Sequence, residues 1–157
     1  MDMIPQRNRW SCSIAAAAMV TGLTIHDFIK YIGHDGSDIV FPDLSSPTCC
    51  KGFTTAEIVD AAMSLGWSVT NIECYPVATP DGVHTRDVYS ENKIKSRMEH
   101  YFKHYSGVAV GERLDGLYWH CVAWDKNRWF DPSGPITTTC PINPAQFLIF
   151  QKTQLNS

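Results

Sequence analysis

The stretch PQRNRWSCSIAAAAMV, residues 5–20, opens on polar and basic residues and closes as an unbroken run of small and apolar ones. Polar residues crowd up to Cys12; beyond it, Ser13 is the only polar side chain before Thr21. A helix without a polar face has no side to turn to water. Residues 12–21 are therefore predicted as the buried central helix of a domain, stopped by Gly22. That reading puts Cys12 at a helix N-terminus, where unpaired backbone N–H groups and the positive end of the helix dipole favour thiolate over thiol. Such placement lowers a cysteine pKa from about 8.5 into roughly the 3.5–7.5 range, more strongly with an imidazolium beside it. The thiolate is the nucleophile. The competing reading, a small residue where a helix enters the core, is the stronger one for a cysteine taken alone.

Working outward, TIHDFIKYIG carries Thr24 and Asp27 at capping-box spacing, with Ile25, Phe28, Ile29 and Ile32 on one helical face. A turn-rich stretch over 33–51 separates it from FTTAEIVDAAMSLGW, where Thr54 and Glu57 form a second capping box and Gly66 closes the helix. SVTNIECYPV (68–77) reads as a strand, 78–91 as a polar loop, and NKIKSRMEHYFKHY (92–105) as a helix. GVAVGER, LYWHCVAWD, RWFDP and QFLIFQK then follow as four aromatic or β-branched runs divided by turn residues. Helices first and an antiparallel sheet second predict an α+β domain. No repeat or linker divides the chain, so residues 1–157 are expected to form a single domain.

Composition narrows the function. The 157 residues are 44% hydrophobic and 18% charged, the balance of a folded chain with a real core. A net charge of −3 gives no electrostatic footprint for nucleic acid. The first residues lack a secretory signal and the AAAAMV run is too short to span a bilayer, which predicts a soluble, cytoplasmic protein with no membrane partner. Six cysteines without a CxxC pair, in a chain of this size, read as reduced thiols and not as a disulfide framework or a zinc site.

The second chemical signal is His120, in LYWHCVAWD. Alternation puts Tyr118, His120, Val122 and Trp124 on one face of the strand and Trp119, Cys121 and Ala123 on the other. A histidine in an apolar strand needs partners for both ring nitrogens. It is either a core histidine bonded to backbone or a general base oriented by a carboxylate. A tight turn near Lys126–Asn127 folds the strand back and brings Asp131 alongside it; Asp125 lies in the turn itself and reads as a turn residue. Gln6 is the fourth member. Acyl transfer from a thiol builds negative charge on the substrate oxygen, and a side-chain amide with the backbone N–H of the nucleophile stabilises it.

These residues carry a resemblance. Gln6, then Cys12 opening CSIAAAAM, then YWHCVAW and WFDPSG resemble the papain-like cysteine peptidase superfamily, and more closely the bacteriocin-processing, double-glycine-leader peptidases and their stand-alone relatives. The middle segment KGFTTAEIVDAAMSLGW resembles the helix those domains carry between nucleophile and histidine. The resemblance implies a papain-like fold, its central helix packed on a C-terminal antiparallel sheet. It also implies a thiol hydrolase acting on a peptide or isopeptide bond of a protein or peptide substrate, with no cofactor and no metal. Cys12 would be the nucleophile, His120 the general base and then acid, Asp131 the residue orienting His120, and Gln6 the oxyanion-hole donor, through a thioester acyl-enzyme.

Ser11 and Ser13 flank Cys12 where the leader peptidases commonly have Asp and Gly. With no transporter helices after the domain and five residues before Gln6, neither the processing domain of an export ATPase nor an inhibitory pro-segment is expected. Stand-alone chains of this kind also resemble proteins carried by phages and by bacteria as effectors, which would place the enzyme in a host cytoplasm. Three alternatives stay open: a glutamine deamidase or acyltransferase on the same site, a non-catalytic binding module on the same fold, and a metal-stabilised interaction domain using Cys49, Cys50 and Cys74 with histidines. His100 and His104 have metal-ligand spacing but no HExxH carboxylate, and read as a polar helix face. Trp119, Trp124, Trp129 and Phe130 are candidates for a substrate groove, with some of the rings needed for the core.

Overall fold

The structure is a computed structural model and describes residues 1–74 and 91–154. The predicted central helix is present as α1 (Cys12–Thr21), with Ala15 to Ala18 fully buried. Gly22 ends it in the left-handed region at φ 72°, its N–H donating to the Ala18 carbonyl at 2.9 Å. Helices α2 (Ile25–Ile32) and α3 (Thr55–Ser64) both start with the expected capping box. In α3, Thr54 Oγ1 accepts from the Glu57 N–H at 3.2 Å while Glu57 Oε2 accepts from the Thr54 N–H at 2.8 Å. Each box satisfies helix-end donors that would otherwise lack partners.

The remaining elements are β1 (Trp67–Glu73), α4 (Glu91–His104), β2 (Gly107–Arg113), β3 (Trp119–Trp124), β4 (Trp129–Phe130), β5 (Ile136–Thr137) and β6 (Ile142–Lys152). The strand expected over 68–77 starts one residue earlier and ends at Glu73; residues 75–77 lie outside the described residues. The loop expected over 78–91 does too, except Glu91, which opens α4. The six strands form one sheet in the order β1-β6-β2-β3-β4-β5, with every pairing antiparallel.

Side chains divide between the two faces of this sheet. On one face, α1, Phe28 of α2 and Ile58, Ala61 and Ala62 of α3 pack on Val108, Cys121, Ala123, Phe130 and Leu148. On the other, Met98, Tyr101 and Phe102 of α4 meet Val122, Trp124, Trp129, Phe147 and Ile149. The Phe102 ring is edge-on to Trp124, Trp129 and Phe147 at 5.9, 5.0 and 4.9 Å. The expectation that four aromatic residues are groove candidates is thereby sorted. Trp124 and Trp129 are register partners on the α4 face, Phe130 sits opposite Ala123 on the α1 face, and only Trp119, 61% exposed, lines the cleft. Among the described residues no single helix is long and apolar enough to cross a membrane.

Strand β2 carries an irregularity between Val110 and Gly111 in its pairing with β6. There the backbones close in: a Cβ on Gly111 would stand 1.9 Å from the Asn143 carbonyl oxygen. Gly111 is also the register partner of His120. Gly111→Ala is therefore expected to force the strands apart and destabilise the fold by at least about 1–3 kcal/mol, read as a lower urea midpoint. An unchanged midpoint would contradict this packing.

Candidate active site

Three local structures bring the predicted site residues together. The first is the turn leading into α1. Ser11 Oγ accepts from the Arg7 and Asn8 N–H groups at 3.2 and 3.3 Å, and Asn8 Oδ1 accepts from the Trp10 N–H at 3.1 Å. The Ser11 hydroxyl is thus engaged in the turn and makes no capping bond to the helix. No acidic residue occupies the first turn either, so the dipole end at Cys12 is not offset by a nearby carboxylate of its own helix.

The second is the β3–β4 hairpin. Asp125 Oδ1 accepts from the Asn127 and Arg128 N–H groups at 2.9 and 2.7 Å, and Lys126 takes φ 80°, which makes the turn tight. Asp125 is a turn residue, as predicted. The hairpin pairs Trp124 with Trp129 and Ala123 with Phe130, and Asp131 follows directly. His120 Nε2 lies 2.7 Å from Asp131 Oδ1, with the two side chains 1% and 10% exposed. That bond leaves Nδ1 for Cys12.

The third is the turn after Asp131, which the sequence reading overlooked. Asp131 Oδ1 accepts from the Ser133 N–H at 2.8 Å and from Ser133 Oγ at 2.9 Å. Ser133 Oγ also lies 3.3 Å from His120 Nε2 and accepts from Arg113 Nη1 at 3.4 Å. The signal was present: a serine two residues after an aspartate, before a glycine, is the composition of a turn closed by its own side chains. The Tyr118 ring stands edge-on to His120 at 6.2 Å, under the Arg113 guanidinium.

Charge follows from these contacts. A hydrogen bond with the Cys121 thiol pulls the Cys12 pKa well below its ordinary value; burial opposes this, and the bond to His120 and its charge add to it. Burial pulls His120 down, but its bonds to Asp131 and Cys12 outweigh that and raise it to about 9. Asp131 is pushed up by burial and down further by His120 and Ser133, to about 2. Cys121, the partner of Cys12, moves up and stays a neutral thiol. The arrangement favours a thiolate–imidazolium pair steadied by a carboxylate. Cys121 is a second residue the sequence reading took only for core; its place directly after His120 was the available hint.

Gln6 is held by its backbone, whose N–H donates to the Pro132 carbonyl at 3.0 Å, and its Oε1 is buried without a hydrogen-bond partner. The residue before the nucleophile turn is thus tied to the residue after Asp131. The other cysteines lie elsewhere. Cys49 and Cys50 sit in the 33–53 loop with their sulfurs 4.0 Å apart, and Cys74 packs on Met98 at 3.5 Å on the α4 side. Among the described residues no group of three or more His, Cys, Asp or Glu is placed to hold a metal ion.

No protein-family model and no curated protein matches the chain by sequence. Its fold has solved counterparts. The peptidase domain of Streptococcus ComA, a bifunctional ABC transporter involved in a quorum-sensing pathway, superposes with a TM-score of 0.55 at 14% identity, over 97% of this chain and 98% of that one. A double-glycine-motif protease from an AMS/PCAT transporter, in complex with its leader peptide, does so at 0.53 and 13%, over 97% and 91%. The chain therefore has a papain-like cysteine-peptidase fold, of the kind seen in the double-glycine leader peptidases.

The His120–Asp131 pair makes stability depend on pH, and the sign follows from the two shifts. Asp131 is lowered, so its contribution is present above about pH 3.9, the unfolded value, and is lost as pH falls through about 2. His120 is raised, so its contribution is present below about pH 6.5 and is lost as pH rises through about 9. The stability gap between wild type and Asp131→Asn, from urea midpoints, is expected to be widest at about pH 4–6.5 and to narrow on both sides. A gap independent of pH would refute the pair.

Proposed function

We propose that the chain is a papain-like cysteine peptidase that hydrolyses a peptide or isopeptide bond in a protein or peptide substrate. The observation that carries this reading is the buried His120–Asp131 pair at 2.7 Å beside a cysteine at an uncapped helix N-terminus. Cys12 Sγ, as thiolate, attacks the carbonyl carbon, and the π electrons move onto the carbonyl oxygen. Gln6, through its side-chain amide, and the Cys12 backbone N–H donate to that oxyanion. The imidazolium of His120 gives its Nδ1 proton to the leaving nitrogen, which departs as an amine and leaves a thioester on Cys12.

Water then attacks the thioester with His120 as general base. The product acid leaves, and the proton returns the pair to its starting charge. Asp131 keeps Nε2–H directed away from the thiol, so that Nδ1 is the nitrogen that works. Ser133 positions Asp131. No step calls for a cofactor.

The test is a proteome-derived peptide library treated with the protein and read by mass spectrometry for new termini. Wild type is expected to generate them, and Cys12→Ala and His120→Ala to generate none while remaining folded. On a cleaved peptide so identified, Gln6→Ala is expected to lower kcat by roughly 10²–10³, with Asp131→Asn between that and the loss of Cys12. Glutamine deamidation without new termini would replace hydrolysis by the deamidase chemistry. Near-normal turnover by a folded Gln6→Ala protein would remove Gln6 from the oxyanion hole.

A further inference from the structure

Cys121 carries a nucleophilic sulfur that the hydrolysis above leaves unused. It lies on the α1 face of β3, in the core cluster against which Cys12 packs. Ala15 to Ala18 are fully buried in that same cluster, so no long side chain holds α1 off the strand. The two sulfurs share a hydrogen bond. Both also line one cavity of about 260 Å³, with His120 between them in the cleft wall. Their exposure differs: Cys121 is 8% exposed, whereas Cys12 is half-buried. A small oxidant entering the cleft therefore meets Cys12 first, with the second sulfur already against it.

We propose that Cys12 and Cys121 form a modification site for peroxides, at which oxidation joins them as a reversible disulfide and switches the nucleophile off. The proposal rests on the peptidase reading above and gives Cys121 the part of resolving thiol. In the first step the Cys12 thiolate attacks one oxygen of hydrogen peroxide and the O–O bond breaks. The hydroxide released takes the His120 imidazolium proton and leaves as water. Cys12 is then a neutral sulfenic acid, oxidised by two electrons. The thiolate charge that opposed ionisation of Cys121 is gone. In the second step the Cys121 sulfur attacks the Cys12 sulfur, the S–O bond breaks, and the hydroxyl group leaves with the Cys121 proton as a second water. Two thiols and one peroxide thus give one disulfide and two waters. Without a resolving thiol, further peroxide carries the sulfenic acid to sulfinic and sulfonic acids, which dithiothreitol does not reduce.

The experiment treats the reduced, folded protein with excess hydrogen peroxide and removes the excess with catalase. One portion is alkylated with N-ethylmaleimide in denaturant at mildly acidic pH and digested with trypsin. Cys12 falls in peptide 10–30 and Cys121 in peptide 114–126, neither of which contains another cysteine. Wild type is expected to yield these two peptides joined, while Cys74, pushed up to about 12 by burial, stays a thiol. In a second portion, labelling of Cys12 by iodoacetamide in the folded protein is expected to fall about ten-fold or more and to return with dithiothreitol. In Cys121→Ala and Cys121→Ser the loss is expected to survive dithiothreitol, with Cys12 found as sulfinic or sulfonic acid. The recovered fraction is internal to each protein, so a slower Cys12 in the variants does not enter it, and the joined peptides need no variant.

Four results would overturn the pair while Cys12 of the reduced protein remains reactive to iodoacetamide. They are a Cys12 untouched by peroxide, a Cys12 over-oxidised in wild type without joined peptides, a Cys12 joined to a different cysteine, and equal recovery in wild type and both variants. A Cys12 inert to iodoacetamide in the reduced protein would instead overturn the peptidase reading beneath it.

Discussion

Helix α1 offers the sheet little more than methyl groups along the middle of its length, and the rest of the structure depends on that constraint. Ala15 to Ala18 are completely buried, so β3 and the elements around it can close onto the helix with no long side chain holding them off. The dehydrated helix has one end at the cleft. There Ser11 spends its hydroxyl on the preceding turn and leaves the helix dipole facing Cys12. A thiol in such a place is reached from the strand side by His120 and Cys121, consecutive residues of β3 that both interact with it. Close packing of the sheet on α1 is thus a consequence of these small residues.

The electrostatics set burial against pairing at each of the three groups. Isolated, a buried imidazole would lose its proton and a buried carboxylate would gain one. Paired at 2.7 Å, with Ser133 donating twice to the same carboxylate oxygen, both hold their charge. The Cys121 thiol is held neutral and its hydrogen bond lowers the Cys12 pKa, so that shift does not depend on His120 alone.

Most of the frame was legible because it rests on local chemistry. The alanine run, the Thr–x–x–acidic caps at Thr24 and Thr54, and the left-handed Gly22 each state their own structure within a few residues. His120 and Asp131 were legible as a pair because a two-strand hairpin converts sequence separation into spatial register. What escaped depends on contacts between distant elements. The separation of Trp124 and Trp129 from Trp119 required the α4 face, which composition does not reveal. The 33–51 loop carries no local signal that separates a shaper of the cleft from plain surface; the contacts of Gly36 with Trp10 and Phe53, and of His34 with Glu57, come from distant elements. Ser133 and Cys121 looked ordinary because their roles come from the site around them.

The account stands on a thiolate at Cys12 sustained by its neighbours, which can be measured without any substrate. The rate of Cys12 alkylation by iodoacetamide, followed by peptide mass spectrometry across pH in wild type and His120→Ala, addresses it directly. The account predicts that Cys12 reacts at pH values well below those needed by an ordinary thiol, and that His120→Ala moves its profile upward. A Cys12 that is inert in the folded protein, or that titrates as an ordinary thiol with and without His120, would contradict it.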